Sequence, residues 1–145
     1  MPKTPVGNTA AEDKRAFRIL IVEDNLDTAE SLRLLLEVHG HRVRVANSGT
    51  VAIEMALAHR PDVALIDIGL PGMDGYEVAR RMRLESTLRD TVLVALSGYG
   101  RDQDRNAATL AGFDHYLVKP VEPDDLEKLI QTLVRPDEGV FDTVS

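Results

Sequence analysis

Two short apolar runs constrain the fold of this chain more than any other sequence feature. Residues 63–68 read Val-Ala-Leu-Ile-Asp-Ile and residues 91–96 read Thr-Val-Leu-Val-Ala-Leu, so each run is apolar on both faces of an extended strand. Such strands are typical of the centre of a parallel sheet, where helices cover both sides. The chain is therefore expected to build a parallel sheet between two helical layers.

The neighbouring segments supply the remaining strands and the helices. The patterns predict strands at 17–22, 42–46 and 116–118 and helices at 27–39, 51–59, 76–84, 102–111 and 123–134. Strand and helix alternate along the chain, and right-handed crossovers then give an α/β, doubly wound, five-stranded parallel sheet. We predict one domain over 17–134, with tails at 1–16 and 135–145 that show no periodic pattern.

Composition narrows the classes of partner. The 145 residues carry 17 Lys and Arg against 24 Asp and Glu, and this net charge of −7 opposes nucleic-acid binding unless a basic patch overrides it. No such patch is visible along the sequence, and no apolar run approaches the roughly 18 residues of a membrane span. The chain has no cysteine, which excludes disulfides and thiol nucleophiles and suits a reducing compartment. We expect a cytoplasmic protein that binds neither nucleic acid nor membrane.

Polar residues follow the ends of the predicted strands. Glu23 and Asp24 follow the first strand, Asp67 lies near the end of the third, Ser97 ends the fourth and Lys119 follows the fifth. Ligands of doubly wound sheets bind beyond these carboxyl ends. Converging carboxylates repel one another unless a divalent cation lies among them, and Mg²⁺ prefers oxygen ligands. The sequence thus predicts a magnesium site, with Lys119 and Ser97 placed to contact an anion.

Asp67 is the candidate nucleophile of this site. It is the carboxylate embedded in a central apolar strand, where a charge is costly without a partner. A phosphoryl group transferred to it would form an acyl phosphate. Each signal alone has an ordinary explanation, such as a helix cap for Glu23 and Asp24 or a surface position for Lys119. The hypothesis depends on their occurring together in the order that one pocket requires.

The motifs resemble a known family. Glu23-Asp24, Asp67, the segment Leu-Pro-Gly-Met-Asp-Gly at 70–75, Ser97-Gly98, Tyr116 and Lys119-Pro120 match in order and spacing the receiver domains of bacterial two-component response regulators. The resemblance covers about residues 17–134 and implies a flavodoxin-like sheet of order 2-1-3-4-5. It further implies that Asp67 accepts a phosphoryl group from the phosphohistidine of a histidine kinase or phosphotransfer protein.

The resemblance also assigns roles within the site. It implies that Glu23, Asp24, Asp67 and the backbone carbonyl of Gly69 hold Mg²⁺, that Lys119 and Ser97 contact the phosphoryl oxygens, and that the Lys119–Pro120 bond is cis. The chain is then a phospho-accepting signalling domain and not an enzyme in the usual sense. It stands alone or comes from a larger protein, and its sequence from Ser97 to Pro120 is most similar to receivers of hybrid histidine kinases.

A switch follows from the same resemblance. Ser97 would be drawn toward phosphorylated Asp67, which frees space for the Tyr116 ring to turn inward. A downstream protein partner would bind the face formed by the fourth helix, the fifth strand and the fifth helix. Tyr99, two residues after Ser97, is expected to shield the phosphoryl group from water.

Three other functions use a similar architecture. A flavin carrier needs a hydroxyl- and glycine-rich loop after the first strand, where this chain has Glu23-Asp24-Asn25. A haloacid-dehalogenase-type phosphatase has its nucleophile on the first strand, whereas the embedded aspartate here is on the third. A degenerate receiver that only binds partners is disfavoured by the intact set of acidic residues. No histidine is assigned a role.

Overall fold

The computed structural model describes residues 16–98, 100 and 102–133. Its elements are β1 (Arg18–Val22), α1 (Leu26–Val38), β2 (Arg42–Ala46), α2 (Gly49–His59), β3 (Val63–Asp67), α3 (Gly75–Leu84), β4 (Val92–Ser97), α4 (Asp102–Ala111), β5 (His115–Val118) and α5 (Pro123–Thr132). A short 3-10 helix, Ser86–Leu88, precedes β4 and was not predicted. The predicted tails lie outside the described residues, apart from Ala16, as does Val134.

The strands form one parallel sheet of order β2-β1-β3-β4-β5, which confirms the predicted fold class and strand order. All residues of β3 are buried, as its apolar sequence predicts for a central strand. One face of the sheet packs against α2, α3 and α4, and the other against α1 and α5. The carboxyl ends of β1, β3 and β4 therefore meet at one edge of the sheet.

Local capping interactions position the helices near that edge. The Asn25 side chain accepts a hydrogen bond from the Thr28 amide at 2.9 Å and begins α1. The Asp74 side chain accepts one from the Glu77 amide at 3.0 Å and begins α3. On α1, Ala29, Leu32 and Leu36 are buried, while Leu35 is half-buried. Within the described residues, no helix is long and apolar enough to cross a membrane.

The fold also gathers basic side chains that are far apart in the sequence. Arg18 and Arg42 are partners in the register of β1 and β2, and Arg44 lies two residues further along β2. These three arginines and His59, the last residue of α2, line a groove of about 500 Å³. Arginines that form no visible patch along the sequence thus lie together in the folded chain. Strand register, and not proximity along the chain, brings these side chains together.

Candidate functional site

Three carboxylates converge beyond the ends of β1 and β3. One oxygen each of Glu23, Asp24 and Asp67 lies within 4.8 Å of the others. Glu23 and Asp67 are buried, at 1% and 9% exposed, whereas Asp24 is exposed. The cluster is thus buried on the side of Glu23 and Asp67 and open to solvent at Asp24. A ligand from solution can reach it from the open side.

A lysine ammonium lies between two of these carboxylates. The Nζ atom of Lys119 is 2.9 Å from Oε1 of Glu23 and 3.2 Å from Oδ2 of Asp67. Three carboxylates and one ammonium leave two uncompensated negative charges in the cluster. This donor set of hard oxygens with two negative charges fits a divalent cation such as Mg²⁺.

Burial and pairing shift the pKa values of Glu23 and Lys119. Burial raises the pKa of the Glu23 carboxyl above its usual value, although hydrogen bonds from Lys119 and the Asn25 amide oppose this effect. Burial opposes the charged form of Lys119, but its hydrogen bond to Glu23 and the nearby charge of Asp67 prevail and raise the pKa of its ammonium. The lysine therefore stays charged where an anion would bind.

Backbone groups hold the carboxylates and the lysine in place. The Gly69 amide donates to Oδ1 of Asp67 at 2.9 Å, and the Asn25 amide donates to Oε2 of Glu23 at 3.1 Å. The Lys119 amide donates to the Ser97 carbonyl at 2.6 Å, which joins β5 to β4 beside the cluster. The Lys119–Pro120 peptide bond is cis, as the resemblance implies.

The start of α3 packs directly against the end of β3. A Cβ atom on Gly75 would lie 2.5 Å from the Cα of Ile68 and 2.6 Å from the carbonyl oxygen of Asp67. Backbone atoms cannot yield to such a contact, so only glycine fits at this position. Gly75 was not predicted to support the site, although the Asp-Gly pair before a helical pattern could have indicated a close approach.

Ser97 and Tyr116 occupy different surroundings. Ser97 is buried at the end of β4 and joins the site through its backbone contact with Lys119. Tyr116 is half-buried, and the guanidinium of Arg105 on α4 lies 4.7 Å from the centre of its ring. This cation–π contact was not predicted, because it depends on the packing of α4 over β5. Tyr99 lies outside the described residues.

The comparisons with known proteins agree with this arrangement. Residues 19–131 match the family model of the response regulator receiver domain, which is most of the chain. The fold and the site define a receiver of the flavodoxin-like type. The chain belongs to the response regulator receiver domain family.

Individual relatives differ in how much of their length the chain spans. It is 39% identical over 126 residues to response regulator MprA of Mycobacterium leprae, covering 85% of this chain and 54% of that protein. The chain therefore spans about half the length of this relative. The match to two solved structures extends over almost the whole of each of those chains. CheY4 of Vibrio cholerae has a TM-score of 0.79 and 26% identity, covering 83% of this chain and 100% of that one.

The second solved structure has an occupied site. It is the receiver domain of sensor histidine kinase PA1611 from Pseudomonas aeruginosa, which holds a magnesium ion in its active site cleft. Its TM-score is 0.75 and its identity 31%, covering 81% of this chain and 97% of that one. The family is that of two-component signalling, so this chain is a signalling domain and not a classical enzyme.

Proposed function

We propose that this chain receives a phosphoryl group on Asp67 from the phosphohistidine of a histidine kinase or phosphotransfer protein. One observation carries the proposal. Asp67 lies at the buried end of the central strand, with the Lys119 ammonium 3.2 Å away and two further carboxylates beside it. Such a group of charges at a strand end is costly unless it serves a ligand.

The reaction is a phosphoryl transfer between two protein side chains. A carboxylate oxygen of Asp67 attacks the phosphorus atom, the phosphorus–nitrogen bond of phosphohistidine breaks, and its electron pair stays on the imidazole nitrogen. Lys119 and the Ser97 hydroxyl stabilise the oxygens of the transferred group. Glu23, Asp24, Asp67 and the Gly69 carbonyl would hold Mg²⁺, which neutralises charge on the phosphoryl group when bound.

The output face comprises α4, β5 and α5. On α4 only alanines are buried, while Leu110 is 88% exposed, so this helix is loosely held and offers an apolar side chain to a partner. Phosphorylation would move Ser97 and Tyr116 and thereby change which downstream protein binds this face. An origin in a hybrid histidine kinase, a cytoplasmic location and the absence of nucleic-acid binding remain predictions.

Phosphorylation assays test the acceptor assignment. The full chain is incubated with Mg²⁺ and either acetyl phosphate or a phosphorylated histidine kinase, and the modified residue is mapped by mass spectrometry. We expect a phosphoryl group on Asp67, none on Asp67→Asn, and none after chelation of the metal. The control is Asp90→Asn, an exposed aspartate near the opposite ends of the strands, which should be labelled as the wild type is. Labelling of another residue in the wild type would contradict the assignment.

A further inference from the structure

β2 is the last strand on its side of the sheet. The backbone groups on its outer edge therefore form no hydrogen bonds with another strand of the described chain. The Arg42 amide donates to the Phe17 carbonyl, and the Ala46 carbonyl accepts from the Glu23 amide, both at 3.0 Å. Backbone groups alternate in direction along a strand. Residues 42, 44 and 46 therefore face β1, while Val43 and Val45 direct their amides and carbonyls away from the sheet.

Two arginines lie along this edge on one face of the sheet. Arg44 is the register partner of Leu20, which packs on the side covered by α2, and Arg42 shares that side because it lies two residues away. Both side chains are exposed and line the groove of about 500 Å³ between β2 and α2. The edge thus combines backbone amides and carbonyls that pair with no neighbouring strand and positive side chains at alternate positions.

The positive charge of this groove is largely uncompensated by the described chain. Arg18 contacts Asp62 at 3.6 Å, but no carboxylate in the described residues forms an ion pair with Arg42 or Arg44. Neighbouring like charges disfavour one another, and the protein as a whole carries −7. A local surplus of guanidinium groups on an acidic protein therefore favours an anionic partner at this surface.

A further guanidinium lies at the same corner. Arg60, the C-cap residue that follows α2, has a φ of 48°, a left-handed conformation that favours glycine, and it lies near Arg18. A cation at the carboxyl end of a helix is favourable in itself. Arg60 therefore adds to the charge of the corner without deciding what binds there.

We infer that β2 binds an extended acidic segment of a partner protein as an added strand, with Asp or Glu at alternate positions facing Arg42 and Arg44. Peptides that extend a sheet gain affinity from main-chain hydrogen bonds and specificity from alternate side chains. Side chains on neighbouring strands lie about 5 Å apart on the same face, within reach of paired arginine–carboxylate hydrogen bonds. Two arginines form too short a row to follow the continuous phosphate backbone of nucleic acid, which favours a short acidic segment instead.

Peptide binding to the full chain tests the inference. The probe is a short fluorescein-labelled peptide of alternating glutamate and valine, measured by fluorescence anisotropy. Two comparison peptides are measured in the same way. One has the same composition but carries its glutamates in one block, and the other has lysine in place of each glutamate. We expect the alternating acidic peptide to bind at least about tenfold more tightly than either, because only it combines the correct charge with the period of a strand.

Charge variants locate the binding surface. R42E/R44E should weaken binding of the alternating peptide at least about tenfold, and the neutral R42Q/R44Q should weaken it to a smaller extent. The matched control is R80E/R81E, which makes the same change of charge on exposed arginines of α3. Circular dichroism of each variant confirms that it is folded. Equal losses in R42E/R44E and R80E/R81E would overturn the inference, since binding would then follow net charge alone.

Hydrogen exchange identifies strand addition. The bound peptide should slow exchange of the Val43 and Val45 amides and leave the edge strand β5 unchanged. Protection confined to other segments, or binding of a nucleic-acid oligomer at this edge when the peptide does not bind, would overturn the inference. A third outcome would also overturn it: R42T/R44T associates with itself while the wild type does not bind the peptide. The arginines would then serve only to prevent the edge of β2 from pairing with other strands.

Discussion

At the scale of single residues, Gly75 determines how closely α3 approaches the end of β3. A methyl group there would lie 2.5 Å from the Cα of Ile68 and 2.6 Å from the carbonyl oxygen of Asp67, so the helix would have to move. We expect Gly75→Ala to lower the free energy of unfolding by about 1–3 kcal/mol, as overpacking usually does, in urea denaturation. Gly98→Ala is the control, since no atom lies within 4 Å of its added methyl group. Equal effects of both changes would contradict this account.

His41 is a second residue whose environment should affect a measurable property, the pH dependence of the free energy of unfolding. Its Nδ1 accepts a hydrogen bond from the buried Phe17 amide at 3.0 Å, and its Nε2 lies 3.3 Å from Oε1 of Glu127. Burial lowers the pKa of His41 below its ordinary 6.5, with a smaller contribution from His39, although the Glu127 carboxylate acts in the opposite direction. Protonation of Nδ1 would remove the acceptor of the Phe17 amide.

The lowered pKa predicts a loss of stability in mild acid. The unfolded chain binds the proton first, so the contribution of His41 is complete above about pH 6.5 and falls as the pH drops toward the lower pKa of the folded state. His41→Asn, which keeps an acceptor, should flatten the dependence of unfolding free energy on pH there by at most about 1.4 kcal/mol per unit. The exposed His59→Asn should retain the wild-type slope. An unchanged slope in His41→Asn would contradict the prediction.

At the scale of elements, one arginine joins α3 to the loops around β4 and β5. Arg83 donates to the carbonyls of Gly112 at 2.9 Å and Thr91 at 2.8 Å, and to the Asp114 carboxylate at 2.7 Å. Arg83→Met should lower the free energy of unfolding by about 1–3 kcal/mol, because it leaves partly buried acceptors without donors. Arg81→Met, which loses only an exposed ion pair with Glu77, should change it by less than about 1 kcal/mol in the same thermal or urea assay.

The packing of α4 predicts where the molecule responds to phosphorylation. Its buried residues are Ala108 and Ala111, whereas α3 buries Val78, Ala79 and Met82. We expect α4 amides to exchange faster than those of α3, and beryllium trifluoride, a phosphoryl mimic, to change protection within residues 97–120. Changes confined to α1 and α2 would show that the proposed output face is wrong.

The elements were predictable to different degrees for physical reasons. The apolar runs of β3 and β4 identify buried strands, because burial on both faces leaves a continuous hydrophobic pattern. The helix Ser86–Leu88 is too short to show a period. The carboxylates and Lys119 were predicted because strand ends converge in any parallel sheet. The Arg105–Tyr116 contact and the basic groove were not, since both depend on register and helix packing.

At the scale of the whole molecule, the three-carboxylate cluster predicts linkage between metal binding and folding. The carboxylates of Glu23, Asp24 and Asp67 converge only in the folded chain, so Mg²⁺ bound there stabilises that state. A concentration of 100 times the dissociation constant should raise the free energy of unfolding by about 2.7 kcal/mol. Asp67→Asn should lose most of this gain, while KCl at equal ionic strength should not reproduce it in the wild type. A gain that survives in the variant would place the metal elsewhere.

The contact between Glu23 and Lys119 joins residues 96 positions apart. A ribosome therefore makes Asp67 and Glu23 well before Lys119, and β5 must then dock beside β4 before the lysine reaches the two carboxylates. A nascent chain that ends before Lys119 carries Asp67 but lacks the ammonium that we propose to stabilise the phosphoryl oxygens. Under the proposed function, the full set of charged groups around Asp67 thus forms only when the last strand joins the sheet.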